Sequence, residues 1–409
     1  MKSSLRRGVL AAFVLLAGCA STPRVATLPP ARSAPATTAA AAAAAFDKPP
    51  ETAITVGTRP GPALASLPGY VADDPTLALA AFRRSCPSLQ KRVDLSGLTQ
   101  PGDWAAACAA AATATDARAF FASALVPVTV ASGTGLNTGY YEPELAGSRT
   151  AAPGYAVPLY RRPTDIVEAD LGQFNDTLKG RKIRGRVVGN ALVPYWDRGE
   201  IDDGALAGRG LELAWAADPY EVFFLEIQGS GRLRLPDGSV MRVGFDGQNG
   251  RDYTGIGKLL RDRNALGPGQ ATMDGIIGWM RAQPDGGKAL MRENRSKIFF
   301  RELKGDPSLG PPGAMGVPLT PRVSVAADPR FVPLGAPLWL VSRAEGPFAR
   351  LMVAQDTGGA IKGPNRVDIF WGAGTDARRI AGGLSATGTV TLLLPAVSAA
   401  RLSGAPAAP

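Results

Sequence analysis

The spacing of apolar residues changes along this 409-residue chain, and each change predicts a different kind of structure. Residues 9–16 (VLAAFVLL) are an unbroken apolar run, too short to span a bilayer comfortably. Residues 20–61 are rich in Ala, Pro and Thr, with an alanine run at 39–45. With few larger apolar side chains to bury, they read as a disordered tether. A helical period follows over about 62–131. Leu77, Ala80, Ala81 and Phe82 fit one face, and 104–125 is Ala-rich with recurring larger apolar residues. Strand patterns then take over, with short runs bounded by Gly and Pro at 155–160 and 191–195. Residues 220–227 (YEVFFLEI) also read as a strand, and 231–235 with 239–245 as a hairpin around Pro236, Asp237 and Gly238. Residues 273–281 are helical, with Ile276, Ile277 and Met280 on one side and Pro284 ending the element. Further strands are expected at 337–341, 350–355, 366–370 and 388–394. Many short strands with Gly and Pro turns make a mainly β, barrel-like fold with some helices.

Composition narrows the chemistry. Lys and Arg number 45 against 35 Asp and Glu, giving +10, and there is no His. That removes Ser-His-Asp and Cys-His catalysis and argues against a catalytic zinc site, so neither cofactor nor metal is expected. Acid/base work falls to carboxylate, Lys, Tyr or Cys. The positive balance suits a polyanion. An export signal favours the cell wall or a membrane surface over nucleic acid. Lys2, Arg6 and Arg7 precede the apolar run, and Leu16, Ala17, Gly18 and Cys19 follow it. Residues 1–19 therefore read as a signal peptide whose end resembles a bacterial lipobox, with Cys19 as the lipidated residue. Ala20, rather than Asp, stands after it. By resemblance to sorted lipoproteins, that implies the periplasmic face of the outer membrane. In that oxidising compartment Cys86 and Cys108 are expected to form a disulfide rather than stay free thiols.

Residues 326–374 carry more Asp and Gly than a plain sheet needs. Asp328 precedes Pro329, where an Asx turn explains it, and Asp356 opens DTGGAIKG, where it can pin a turn. Asp368 stands mid-strand in RVDIFWG, and Asp is depleted in strands. Period two puts Val367 and Ile369 on one face and Asp368 with Phe370 on the other. Apolar neighbours would desolvate the carboxyl and raise its pKa, as a general acid for a glycosidic oxygen requires. Lys362 is a further candidate to meet substrate or pair with a carboxylate.

This stretch resembles the 3D domain, whose three aspartates match Asp328, Asp356 and Asp368. Upstream, TGYYEPELAGS from Thr138, FFLEIQGSGRL from Phe223 and NRSKIFFRE from Asn294 resemble the membrane-bound lytic murein transglycosylase A family. The resemblance implies a double-psi β-barrel with a second β domain inserted and a glycan groove between them. The expected boundaries are 62–145 and 271–395 for the barrel domain, 146–270 for the insert and 396–409 for a disordered tail. It implies peptidoglycan glycan strands as substrate, with Asp368 as the sole acid/base and Asp356 as its neighbour in the groove.

The upstream motifs also have readings of their own. Tyr140 and Tyr141 offer flat faces for sugar rings, unless they are core tyrosines at a strand end. Gln228, Gly229 and Ser230 end the 220–227 element, with the glycine allowing close approach of a glycan and the flanking side chains supplying hydrogen bonds. Asn294 and Ser296 fit either a substrate contact or a helix-to-strand junction. Glu142, beside Pro143 in an expected loop, and Glu226 are reserve carboxylates. A two-carboxylate hydrolase and a glycan-binding lipoprotein without activity are the competing functions.

Overall fold

The computed structural model describes residues 50–404 except Pro268, Gly305, Pro307, Ser308, Glu345 and Gly346. Six strands close on themselves: β1 (Thr134–Glu142), β2 (Ser324–Ala327), β3 (Pro337–Ser342), β4 (Phe348–Asp356), β5 (Val367–Ala373) and β6 (Ser385–Leu394). Around the ring the order is β1, β6, β3, β4, β2, β5 and back to β1. Alternation sorts the side chains. Val325, Ala327, Val367 and Ile369 join Leu338, Leu340, Leu351, Val353 and Leu392 in the main core. Ala326 and Phe370 turn the other way, into a separate small cluster with Tyr140, Leu319 and Ile361.

Helices at Thr76–Leu89, Ala105–Thr113 and Ala117–Ala124 pack on this barrel, as the helical period predicts. The first buries Ala78, Leu79, Ala81, Phe82, Cys86 and Leu89, whereas Leu77 faces solvent, so the apolar face is rotated from the expected one. Cys86 and Cys108 are bonded, with 5.6 Å between Cα atoms.

Both expected disordered segments are partly ordered. Ala53–Val56 forms a helical turn, and Thr58–Pro60 pairs with Val130, Thr129 and Val128. Ala396–Ser403 is a helix held by Ser398 and Arg401, both donating to Asp103. Long-range partners order these pieces, and local composition cannot reveal such partners. Cys19, the signal segment and most of the tether lie outside the described residues.

Between β1 and β2 the chain builds a six-stranded sheet. Its order is Ile298–Glu302, Val240–Gln248, Ser230–Arg234, Glu144–Ser148, Glu212–Ala216 and Val157–Tyr160. The expected hairpin is present, Leu233 facing Met241 across a turn with Gly238 at φ +82°. Because Phe300 pairs with Phe245, the chain stays with this sheet as far as Glu302, beyond the expected boundary at 270. Met273–Arg281 is helical as expected, and packs with Ile256–Asp262 and Lys288–Glu293 around Phe223 and Phe224.

Residues 220–227 are not a strand but most of the helix Pro219–Gln228. Asp218 caps it by accepting from Tyr220 N–H (2.7 Å), Pro219 occupies the first turn, and Gly229 closes it in the left-handed region at φ +79°. Start and stop signals outweigh the β propensity of Val, Phe and Tyr because the helix buries Val222, Phe223 and Leu225.

Candidate active site

Asp368 sits in β5 between two strands. β1 runs parallel to it, with Thr138 in register, and β2 runs antiparallel, with Ala326 in register. The register fixes its partner: Thr138 Oγ1 donates to Asp368 Oδ1 at 2.6 Å. Arg366, two residues earlier, donates from Nη2 to Thr138 Oγ1 at 2.8 Å and from Nη1 to the Val367 carbonyl at 2.6 Å. Asp368 is half-buried. Burial pushes its carboxyl up to about 6, against the Thr138 bond and the Arg366 charge, and the nearby Asp356 charge adds to the rise. Such a group is protonated in mild acid and ionises near neutrality.

Asp356 ends β4 and is bound on both oxygens. Tyr140 donates its hydroxyl to Oδ2 and Ala314 its N–H to Oδ1, each at 2.9 Å. Burial raises its carboxyl too, although these donors oppose the shift. Tyr140 is itself driven well above the ordinary tyrosine range, first by burial and then by the Asp356 charge.

The other expected site residues divide. Tyr140 and Tyr141 are buried, so neither ring offers an open face. Tyr140 packs 5.3 Å from Phe370, and the Tyr141 hydroxyl reaches Met273 Sδ. Glu142 is the last residue of β1 rather than part of a loop, and lies buried between Arg232 (3.0 Å) and Arg242 (3.4 Å). Glu226 is buried between Arg198 (2.7 Å) and Lys297 (2.8 Å). Gln228 and Gly229 end a helix, not a strand, and Ser230 opens the strand Ser230–Arg234. Gln228 Oε1 accepts from Tyr141 N–H at 2.9 Å, tying the helix to β1, and Ser230 is buried. Asn294 and Ser296 are buried at a helix-to-strand junction, where Asn294 Oδ1 accepts from Thr254 N–H. Asp328 makes the expected Asx turn, accepting from Arg330 N–H (3.1 Å), and it also accepts from Gly363 N–H (2.9 Å). Lys362 is exposed on the loop after β4.

Sequence reasoning missed Arg366 and Tyr253. Tyr253 comes from the inserted segment, and its Cβ lies 3.7 Å from where a Cβ on Gly359 would sit. Burial raises its hydroxyl, the Arg198 charge opposes that rise and the Asp368 charge adds to it, so Tyr253 lies within electrostatic reach of Asp368. No local pattern marks it, since its role depends on the insert folding back over the DTGG loop.

A model of the MltA specific insert domain matches residues 136–301, and one of the 3D domain matches residues 323–394. The chain is 34% identical over 197 residues to membrane-bound lytic murein transglycosylase A of Vibrio cholerae. That match covers 45% of this chain and 52% of that protein, so it spans about half the length of this curated relative. The crystal structure of membrane-bound lytic murein transglycosylase from Agrobacterium tumefaciens superposes with a TM-score of 0.76 at 33% identity, covering 85% of this chain and 99% of that one. The structure of E. coli MltA with bound chitohexaose gives a TM-score of 0.57 at 26% identity, over 78% of this chain and 90% of that one. The chain belongs to the membrane-bound lytic murein transglycosylase A family.

Proposed function

We propose that this protein is a peptidoglycan lytic transglycosylase that cuts the β-1,4 bond between N-acetylmuramic acid and N-acetylglucosamine. The observation that carries this reading is the unequal state of the two aspartates. Asp368 accepts one hydrogen bond on Oδ1, and its pKa lies near 6. Asp356 has both oxygens committed to protein donors. One group is therefore free to move a proton, and the other holds the site together.

Asp368 gives its proton to the glycosidic oxygen as the bond to C1 of N-acetylmuramic acid breaks. The resulting carboxylate then takes the proton of that sugar's C6 hydroxyl as its oxygen bonds C1. The product is a 1,6-anhydro sugar, and no water is consumed. A hydrolase would need a second free carboxylate to activate water or to attack. The six-stranded ring fits a double-psi barrel, and Tyr253 beside Gly359 fits a glycan groove between barrel and insert. The relative with bound chitohexaose favours a β-1,4-linked amino-sugar chain as the occupant.

Mass spectrometry of soluble products from purified sacculi tests the reaction. Anhydro ends are expected. Products heavier by one water, or labelled from heavy-oxygen water, would establish a hydrolase. We place the protein on the periplasmic face of the outer membrane, held by a lipid on Cys19. Cys19→Ala is expected to move it from the membrane fraction into the soluble periplasm, and unchanged fractionation would remove that reading.

A further inference from the structure

We propose that Arg366 is a positioning residue that fixes which oxygen of Asp368 carries the catalytic proton. The inference rests on the reading of Asp368 as the acid/base. A guanidinium can only donate, so its bond to Thr138 Oγ1 uses that oxygen as an acceptor. A threonine hydroxyl has one proton, and Thr138 must place it elsewhere. The acceptor at 2.6 Å is Asp368 Oδ1. In the acid form Oδ1 is therefore occupied as an acceptor, and the carboxyl proton resides on Oδ2. Oδ2 becomes the oxygen that delivers the proton to the leaving group and later recovers one from the C6 hydroxyl. The proton count on Thr138 and Arg366 does not change in either step.

Arg366 is built to hold this direction. Its second guanidinium nitrogen is bound to the carbonyls of Val367 (2.6 Å) and Leu136 (3.4 Å), one on each of the paired strands. It is half-buried, and burial lowers its own pKa while the Asp368 charge opposes that shift. The groups facing Asp368 are Arg366 on its own strand, Thr138 and Tyr140 on β1, Asp356 on β4 and Tyr253 from the insert. Opposite it, β2 presents the uncharged Ala326. Arg366 is the cation among them. After proton transfer, the Thr138 donor and the Arg366 charge stabilise the new carboxylate.

The test compares pH profiles of turnover on purified sacculi for the wild type, Arg366→Met, Arg366→Lys, Thr138→Val and Thr138→Ser. Arg366→Met and Thr138→Val are expected to move the alkaline limb to higher pH and to lower kcat roughly tenfold or more, with KM unchanged. That is the rate equivalent of one hydrogen bond to a charged group. Thr138→Ser keeps the hydroxyl and is expected to retain the wild-type profile, and Arg366→Lys keeps the charge and much of the limb position. The losses from Arg366→Met and Thr138→Val should not add in the double variant, because one acts through the other. Carbon-13 titration of the Asp368 carboxyl, identified by its disappearance in Asp368→Asn, gives the same shift without turnover. A wild-type limb and kcat in Arg366→Met, additive losses, or a change confined to KM would overturn the proposal. If Asp368→Asn remains active, the underlying acid/base reading has failed. If Asp368→Asn is inactive and Arg366→Met behaves as wild type, only the present inference has failed.

Discussion

Asp356 and Asp368 stand on the two strands that flank β2 and share one register partner, Ala326. Their backbones are therefore about 10 Å apart, two strand spacings, and both side chains leave the same face of the barrel. Val325 and Ala327, on either side of Ala326, face the core. The arrangement gives the two carboxylates a common surface but different partners. Among the described residues, Asp356 accepts from Tyr140 and Ala314, while Asp368 accepts from Thr138.

Asp368→Asn is expected to abolish turnover while the protein stays folded and still binds glycan, since Asn keeps the shape and cannot exchange the proton. Asp356→Asn should retain weak activity, because it disturbs the support and not the proton donor. Inactive Asp356→Asn with active Asp368→Asn would reverse the two roles.

The same substitution has a stability signature. Asp368 is raised from 3.8 to about 6, so the fold favours the protonated carboxyl. That contribution is fully present below the unfolded value of 3.8 and is lost as pH rises through about 6. Above neutrality the native protein bears the cost of a desolvated anion, up to about 3 kcal/mol, and Asn does not. Asp368→Asn is thus expected to unfold at higher temperature than wild type in neutral buffer and at a similar temperature in strong acid. A uniform destabilisation across pH would show that the carboxyl is not held protonated.

In wild type, kcat/KM should fall on the alkaline side with a midpoint near 6, because the leaving oxygen needs the protonated form. Activity rising through that range would assign the first step to a base.

Much of this site was legible from one strand. Asp368 breaks the alternation of an otherwise apolar strand, and Val367 and Ile369 fall on the core side as period two demands. The helix Pro219–Gln228 was not legible from composition, because the same Val, Phe and Tyr residues favour strands. The signals that decide it lie at its ends, in Asp218, Pro219 and Gly229. Tyr140 and Tyr141 illustrate the opposite failure. An aromatic pair beside a glycan motif suggests stacking surfaces, yet the rings are buried and what reaches the site is a hydroxyl on Asp356. Arg366 stands in the same RVDIFWG stretch as Asp368, but its partner Thr138 and the approach of Tyr253 lie at chain separations that no local window samples.

Glu226 is a buried carboxylate whose role is structural. Despite its burial, Arg198 and Lys297 hold its carboxyl below the usual range. Its contribution is present above the unfolded pKa and is lost as pH falls through the lower folded value. Glu226→Gln takes the carboxylate partner from buried Arg198 and leaves Lys297 with Asp202 at 3.6 Å, and should cost about 3–5 kcal/mol in a denaturant titration at neutral pH. Turnover per folded molecule should be preserved. A stable but inactive Glu226→Gln would move this carboxylate into the chemistry.

Gln355 separates the stabilising role of the disulfide from the positioning of the site. It is fully buried, immediately precedes Asp356, and donates to the Ala81 carbonyl (3.0 Å) and Ser85 Oγ (2.9 Å) on the helix Thr76–Leu89. Ser324 Oγ donates to its Oε1 at 2.5 Å. Cys86, next to Ser85, ties that helix to Ala105–Thr113 across a separation of 22 residues. The disulfide acts mainly on the unfolded chain, by about 3 kcal/mol in the chain-entropy model. The Gln355 bonds act in the native state and on one helix only. A double Cys86→Ser, Cys108→Ser variant is therefore expected to lose stability of that order with kcat per folded molecule unchanged. Gln355→Leu should leave Ser85 and Ser324 short of partners and cost about 1–3 kcal/mol. It should also lower kcat, because the strand end carrying Asp356 loses its anchor. Equal losses of kcat in the two variants, measured on folded protein, would mean that the disulfide positions the helix and through it the site.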